Sequence, residues 1–258
     1  MNRIKSLFRN KQKDILTIYF TAGFPALDST RHIIQELDKA GVDIIEIGMP
    51  FSDPMADGVT IQESNQAALQ NGISIARLFE QLKDIRDVTD KPLVLMGYFN
   101  PVFQYGVKEF CSKAKKCGID GVIIPDLPIQ EYKTIYQPFF EANDLGICFL
   151  ITPETTEKRI REIDEINTGF IYLVTSLGVT GRQVQFGYDQ VEALARIEHL
   201  HLKNPVLAGF GISNNESYKT VCKYVNGGII GSSFINALNN NTQNISDNIH
   251  QFVQSMIL

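Results

Sequence analysis

The sequence predicts an α/β fold, a single closed barrel of eight parallel strands that alternate with helices. Three observations predict it. The strands read as short, continuous apolar runs, as expected when both faces of a parallel sheet are covered. Each run is followed by a stretch with helical patterning. The chain has 258 residues, and a (β/α)8 barrel typically takes about 250. An open doubly wound sheet is the alternative. Against it, the loop after the first strand, Ala22-Gly23-Phe24-Pro25, carries no G-x-G-x-x-G.

The elements follow in order. Ile4, Leu7 and Phe8 have helical spacing in a basic opening segment, which predicts a short helix covering the bottom of the barrel. Ile15–Thr21 is the first strand, and a helix starts at Asp28-Ser29-Thr30 and stops at Gly41. Asp43–Gly48 is the second strand, followed by helices over 61–70 and 74–87. Pro92–Tyr98 is the third strand, followed by Phe99-Asn100-Pro101, and 106–117 is a helix. Strands then follow at 120–125, 146–151, 170–174, 205–208 and 224–230. Helices are predicted over 129–143, 155–166, from Tyr188 to His201, from a cap at Ser213 to Lys223, and twice more after Ser233. No linker or low-complexity segment interrupts the series, so residues 1–258 read as one domain.

Composition narrows the function. Hydrophobic residues make up 44% and charged residues 21%, and the net charge is -5. That balance gives no electrostatic footprint for nucleic acid or an anionic membrane. No run of 18 apolar residues appears and the basic opening lacks an apolar core, so neither a membrane span nor a signal peptide is expected. Cys111, Cys117, Cys148 and Cys222 form no C-x-x-C and are expected as reduced thiols in a cytoplasmic protein. The histidines, His32, His199, His201 and His250, have no metal-ligand spacing, and no metal is expected.

The stretch from Asp43 to Gly58 is the most informative. Glu46 lies inside an apolar strand, where its face is shared with Ile44 and Gly48. A carboxylate buried there is costly without a partner. A salt bridge or a set of backbone donors is one account of it. Asp53 and Asp57 follow within the next loop with no lysine or arginine beside them, and several acids at one strand end suit acid–base chemistry. Tyr98, Asn100 and Asp126 also occupy strand ends, and Tyr172 lies in the sixth strand. Gly178-Val179-Thr180-Gly181, Gly209-Phe210-Gly211 and Gly231-Ser232-Ser233 are glycine-bearing turns at the same end. The last two follow strands seven and eight, where barrels bind phosphate through backbone N–H groups. Simple tight turns are the alternative. The long loop over 175–188 has the character of a lid.

Glu46-Ile47-Gly48-Met49-Pro50-Phe51-Ser52-Asp53-Pro54-Met55-Ala56-Asp57-Gly58 resembles the signature of the tryptophan synthase α subunit family. Tyr98-Phe99-Asn100-Pro101, Pro125-Asp126-Leu127-Pro128, Tyr172-Leu173-Val174, Gly178-Val179-Thr180-Gly181 and Gly209-Phe210-Gly211-Ile212-Ser213 agree in order. The resemblance implies a TIM barrel that cleaves indole-3-glycerol phosphate to indole and glyceraldehyde 3-phosphate without a cofactor. It implies Glu46 as acid/base, Asp57 as the carboxylate at the indole N–H, and Tyr172 as the active-site tyrosine. It places Gly181, Gly211, Gly231 and Ser232 at the phosphate, and Tyr19, Tyr98, Phe210 and Thr180 at the indole pocket and lid. It implies a pyridoxal-phosphate β subunit as partner in an α2β2 heterotetramer, met by Pro50, Asp53 and Asn100. A stand-alone lyase and a non-catalytic scaffold on the same barrel are the alternatives, and the complete acid pair argues against the scaffold. Arg182–Phe186 departs from the small residues expected after Gly181.

Overall fold

The computed structural model describes residues 2–54, 57–175, 188–239 and 244–258, the side chains of 188 and 189 excepted. Its sheet is wholly parallel. The strands are β1 (Ile15–Thr21), β2 (Ile44–Gly48), β3 (Leu93–Met96), β4 (Gly121–Ile123), β5 (Gly146–Cys148), β6 (Leu150–Ile151), β7 (Ile171–Val174), β8 (Val206–Gly209) and β9 (Gly227–Ile230). Their order is β5-β4-β3-β2-β1-β9-β8-β7-β6. β5 and β6 flank Phe149 in one continuous stretch, so the two ends of the sheet are the same piece of chain and the barrel closes. The predicted fifth strand is thus present, but split. Phe149 interrupts it by sending its N–H to the Asn167 side chain at 2.9 Å and its carbonyl to the N–H of Tyr172 at 2.9 Å.

Two apolar layers result. The barrel interior holds Ile15, Ile44, Val94, Ile123, Cys148, Phe170 and Leu207, and is closed below by Ile4, Leu7 and Phe8 of the helix Arg3–Asn10. That is the cover the opening segment predicts. The outer layer lies between the strands and the surrounding helices, with Phe20, Ile33, Leu37, Phe110, Phe140 and Phe234 almost fully buried. The buried thiols fit this setting. All four cysteines are free, and burial pushes the Cys111 and Cys148 thiols up to about 12. No helix among the described residues is long and apolar enough to cross a membrane.

Side chains at the bottom fix the register. Asp43 accepts from the N–H of Leu16 at 2.8 Å, Asp120 from Leu93 at 3.0 Å, Asn167 from Phe149 at 2.9 Å, and Asn226 from Val206 at 2.7 Å. Each precedes one strand and latches the neighbouring strand by an N–H that the ladder leaves unpaired. Buried backbone donors without partners are costly, so these four residues set where each pair of strands begins.

Several expectations are corrected. Phe99-Asn100-Pro101, left unassigned by the sequence, starts a helix, Phe99–Tyr105, since Pro at the third helical position lacks only an N–H that would be unpaired anyway. Residues 74–87 divide into Ile75–Gln81 and a 3₁₀ turn, Ile85–Asp87, with Asp84 left-handed between them. The segment over 129–143 contains a π-helical turn, Tyr132–Tyr136. The helix after β8 is Asn215–Tyr224, capped by Asn214 rather than Ser213 in a reciprocal capping box with Ser217. His201 lies beyond its helix, which ends at His199.

Asp120 tests the latches. It also pairs with Arg86 at 2.5 Å, and Arg3 contacts its other oxygen at 3.4 Å, with the Asp120 side chain 5% exposed. Asp120→Ala is expected to cost about 3–5 kcal/mol in urea unfolding, as loss of one member of a buried pair does. Asp120→Asn keeps the acceptor for the Leu93 N–H and is expected to cost less.

Candidate active site

The C-terminal mouth of the barrel collects the predicted acids. Glu46 sits in β2 opposite Tyr19 of β1 and Val94 of β3. It is 1% exposed, and neither carboxyl oxygen has a hydrogen-bond partner. The salt-bridge account of Glu46 therefore fails. Desolvation first, and the nearby Asp57 carboxylate second, push its acid up to about 8. At neutral pH it is mainly protonated.

Asp57 is half-buried in the loop after β2. Its N–H reaches the Pro54 carbonyl at 3.1 Å, and its carbonyl accepts from Gln62 at 2.8 Å. Its carboxylate accepts from the Tyr98 hydroxyl at 3.1 Å. Burial raises its acid to about 6 and the Tyr98 hydrogen bond opposes that rise. Tyr98, expected only as a pocket wall, holds the second acid in place, and its ring stacks 5.2 Å from Phe51. The two carboxyls thus differ in state at pH 7, one mainly protonated and one mainly ionised.

Two buried tyrosines lie in the field of both acids. Tyr172 in β7 is buried, and its phenol is held well above its ordinary range by desolvation and then by Glu46 and Asp57. A Cβ on Gly209 would fall 2.1 Å from the Tyr172 oxygen, and one on Gly48 would fall 2.2 Å from the Tyr19 oxygen. Both glycines exist to admit a phenol. Phe210 meets Tyr172 edge-on at 6.4 Å and has φ +69°, and Gly211 follows at +79°. Thr175 fixes this turn by donating to the Gly209 carbonyl at 2.9 Å and to that of Phe210.

Some functional neighbours were not named from the sequence. Ser64 donates to the Ile61 carbonyl at 2.9 Å and meets Thr21 at 2.7 Å, and Thr21 lies 3.4 Å from the Tyr19 hydroxyl. With the Ser64 proton used, Thr21 donates to Ser64 and accepts from Tyr19, so the Tyr19 lone pairs are left for the cavity. The signal was present: Thr17, Tyr19 and Thr21 are polar at every second position of an apolar strand.

The remaining site residues divide. Gly231 and Ser232 open the helix Ser232–Asn239, whose first N–H groups have no partner within the helix. Gly211 does not open a helix, because Asn215 starts three residues beyond Ile212 and Asn214 and Ser217 cap that helix themselves. Of these two turns, the one after β9 leads directly into a helix. Thr180, Gly181 and most of the lid segment lie outside the described residues. Asp126 is exposed and accepts from the Phe99 N–H at 2.8 Å, which starts the helix after β3. Asp53 and Asn100 are exposed and Pro50 is half-buried. Pro54 is buried and Phe51 half-buried, so the loop is less exposed in its apolar part than its composition implies. No cluster able to hold a metal occurs among the described residues.

An acid raised by burial inside the barrel wall, a second carboxylate at the rim and a helix start at the same end suit a barrel enzyme of acid–base type. Comparison with known proteins places it more closely. Residues 6–256 match the family model described as tryptophan synthase alpha chain. The tryptophan synthase alpha chain of Flavobacterium psychrophilum is 51% identical over 256 residues, 99% of this chain and 100% of that one. That of Christiangramia forsetii is 50% identical, covering 99% and 98%. The crystal structure of the alpha subunit from Legionella pneumophila superposes with a TM-score of 0.89 at 30% identity, covering 99% and 97%. The chain belongs to the tryptophan synthase alpha chain family.

The unpartnered Glu46 makes stability pH-dependent. Its folded acid is weaker than the unfolded one, so this contribution is complete below about pH 4.5 and is lost as pH rises through about 8. Glu46→Gln cannot ionise. Its stability relative to the parent is expected to improve by a few kcal/mol between pH 4.5 and 8, read by urea unfolding at both pH values. A difference that does not change with pH would mean that Glu46 is not held protonated by burial.

Proposed function

We propose that Glu46 and Asp57 divide the proton chemistry of the alpha reaction, with the phosphate held by the helix after β9. The reaction is that of the family: retro-aldol cleavage of indole-3-glycerol phosphate to indole and glyceraldehyde 3-phosphate, in L-tryptophan biosynthesis. One observation carries the assignment. Glu46 is almost fully buried with both oxygens unpartnered, beside a second carboxylate at the catalytic end of the barrel.

The steps follow from these states. Protonated Glu46 gives its proton to indole C3, and positive charge builds on the ring N–H. The Asp57 carboxylate, held by Tyr98, stabilises that charge. Glu46 is then an anion in a buried wall with no hydrogen bond to it among the described residues, which makes it a strong base. It takes the proton of the glycerol hydroxyl as the C3–C bond breaks, its electrons return to the ring, and the hydroxyl carbon becomes the aldehyde. Glu46 ends protonated, ready for the next turnover. Tyr172 and Phe210 wall the indole beside Tyr19, and the Gly231–Ser232 helix start meets the phosphate with N–H groups. Thr180 and Gly181 belong to the proposed lid and phosphate contacts. No cofactor enters these steps.

The proposal includes a pyridoxal-phosphate β subunit as partner, in a cytoplasmic α2β2 assembly. A related chain, from Pyrococcus furiosus, is known in a tryptophan synthase complex and superposes with a TM-score of 0.86 at 33% identity, covering 95% of this chain and 98% of that one. The rim supports docking. Asp53 and Asn100 are exposed there, and Phe103 and Ile135, in the elements after β3 and β4, are 55% and 52% exposed. Large apolar groups at a rim mark contact surfaces.

Two measurements test this reading. Glu46→Gln is expected to lower kcat by roughly 10²–10⁴-fold, as loss of a general acid/base does. The parent's kcat/KM should rise with pH through about 6, as Asp57 ionises, and fall through about 8, as Glu46 loses its proton. Near-parental turnover in the variant removes Glu46 from the chemistry. For the partner, titration of a β subunit should show binding that Phe103→Asp weakens by about tenfold or more, whereas no binding by the parent chain leaves a stand-alone lyase.

A further inference from the structure

Two buried polar side chains inside the barrel have no partner, and they are neighbours. Thr17 lies on β1 two residues before Tyr19, and Glu46 lies on β2 two residues after Ile44. The register pairs Thr17 with Ile44 and Tyr19 with Glu46, so Thr17 stands one row below Glu46 on the adjoining strand. Ile15 and Ile44 line the barrel interior, and strand alternation turns Thr17 and Glu46 to that same side. Thr17 is fully buried, and its hydroxyl oxygen, like both oxygens of Glu46, makes no hydrogen bond. Strands ~4.8 Å apart with a rise of ~3.3 Å per residue set the two Cα atoms about 8 Å apart. A glutamate side chain and one hydrogen bond span that gap when the carboxyl turns towards the base of the barrel.

The other polar groups around Glu46 are engaged or lie elsewhere. The Tyr19 hydroxyl is joined to Thr21 at 3.4 Å, and Thr21 to Ser64 at 2.7 Å. Cys148 accepts from the Phe170 N–H at 3.4 Å, and Asp57 is held by Tyr98. The Tyr172 oxygen lies against Gly209 of β8. Tyr19, Cys148, Asp57 and Tyr172 are the titratable groups that face Glu46, and none of them is a cation. Thr17 has both its proton and its lone pairs unused. Valine has nearly the same shape and suits an apolar strand as well, so a buried, unpaired hydroxyl at this position is a net cost to the resting fold.

We propose that Thr17 is a positioning residue for the alpha reaction: its hydroxyl donates a hydrogen bond to one oxygen of the Glu46 carboxylate while Glu46 is without its proton. This rests on the reading of Glu46 as the acid/base. With one oxygen held by Thr17, the carboxylate plane is fixed and the other oxygen is free to take the proton of the glycerol hydroxyl. One hydroxyl supplies far fewer donors than water does, so the anion remains basic. No proton passes to or from Thr17. Its O–H bond stays intact, and the hydrogen bond forms when Glu46 gives its proton to indole C3 and is released when Glu46 is protonated again.

Thr17→Val and Thr17→Ser test this in the full chain, with indole-3-glycerol phosphate as substrate. Thr17→Val is expected to lower kcat by about tenfold, as loss of one hydrogen bond to a charged group does, while Thr17→Ser keeps the hydroxyl and most of the turnover. A donor to the carboxylate favours its ionised form. Its removal should therefore move the alkaline limb of kcat/KM above the parent's, by about half a pH unit or more. Urea unfolding at pH 6, where Glu46 is protonated, separates this role from packing, because Thr17→Val should be no less stable than the parent there. Added to Glu46→Gln, Thr17→Val should cost no further activity. Parental kcat with an unmoved limb in Thr17→Val, equal losses in both variants, or a destabilised Thr17→Val overturns the proposal. Turnover retained by Glu46→Gln is the separate outcome that removes the reading of Glu46 itself, and with Glu46→Gln inactive an unaffected Thr17→Val removes Thr17 alone.

Discussion

The site depends on one constraint: a carboxyl group enclosed by a closed barrel with nothing to bond. An open sheet edge would let water reach Glu46, and a nearby cation would ionise it at ordinary pH. Closure through the split fifth strand removes the edge, and the neighbours of Glu46 are Ile44, Gly48, Tyr19 and Val94 rather than lysine or arginine. Burial then does the work that a dedicated hydrogen bond does elsewhere. The same field reaches the two phenols, which stay neutral between the acids.

The two ends of the barrel use polar residues in opposite ways. At the bottom, Asp43, Asp120, Asn167 and Asn226 each satisfy a backbone donor and so define register. At the top, Glu46 is left unsatisfied and Asp57 is held by a single phenol. Satisfied polar groups gather at one end and the raised acids at the other, which is the division expected of a barrel enzyme. Asn167 bridges the categories, with its oxygen serving the fold and its nitrogen spare.

Glycine has a similar double use. Gly48 and Gly209 lie in strands, where glycine is ordinarily weakening. Each leaves the space in which a tyrosine oxygen sits, so any side chain there would move an active-site phenol. Thr175 then ties the end of β7 to the turn after β8, which carries Phe210 in a left-handed conformation against Tyr172. The aromatic wall is positioned by backbone and hydroxyl contacts, not by its own packing alone.

The sequence by itself determined the barrel, the covering helix at its base, and the place of Glu46 and Asp57 on adjoining pieces of one strand and loop. Those follow from period, length and local order, which need no distant partner. It also carried the family motif, which the comparisons bear out. Only the tertiary structure decided that Glu46 is unpartnered, that Tyr98 serves Asp57 across 41 residues of chain, and that the turn at Gly211 has its helix already capped. It alone brought Asn167 to Phe149, and made one strand serve as both edges of the sheet. Hydrogen bonds and burial between residues far apart in the chain depend on how closure aligns the strands, and no local pattern encodes that alignment.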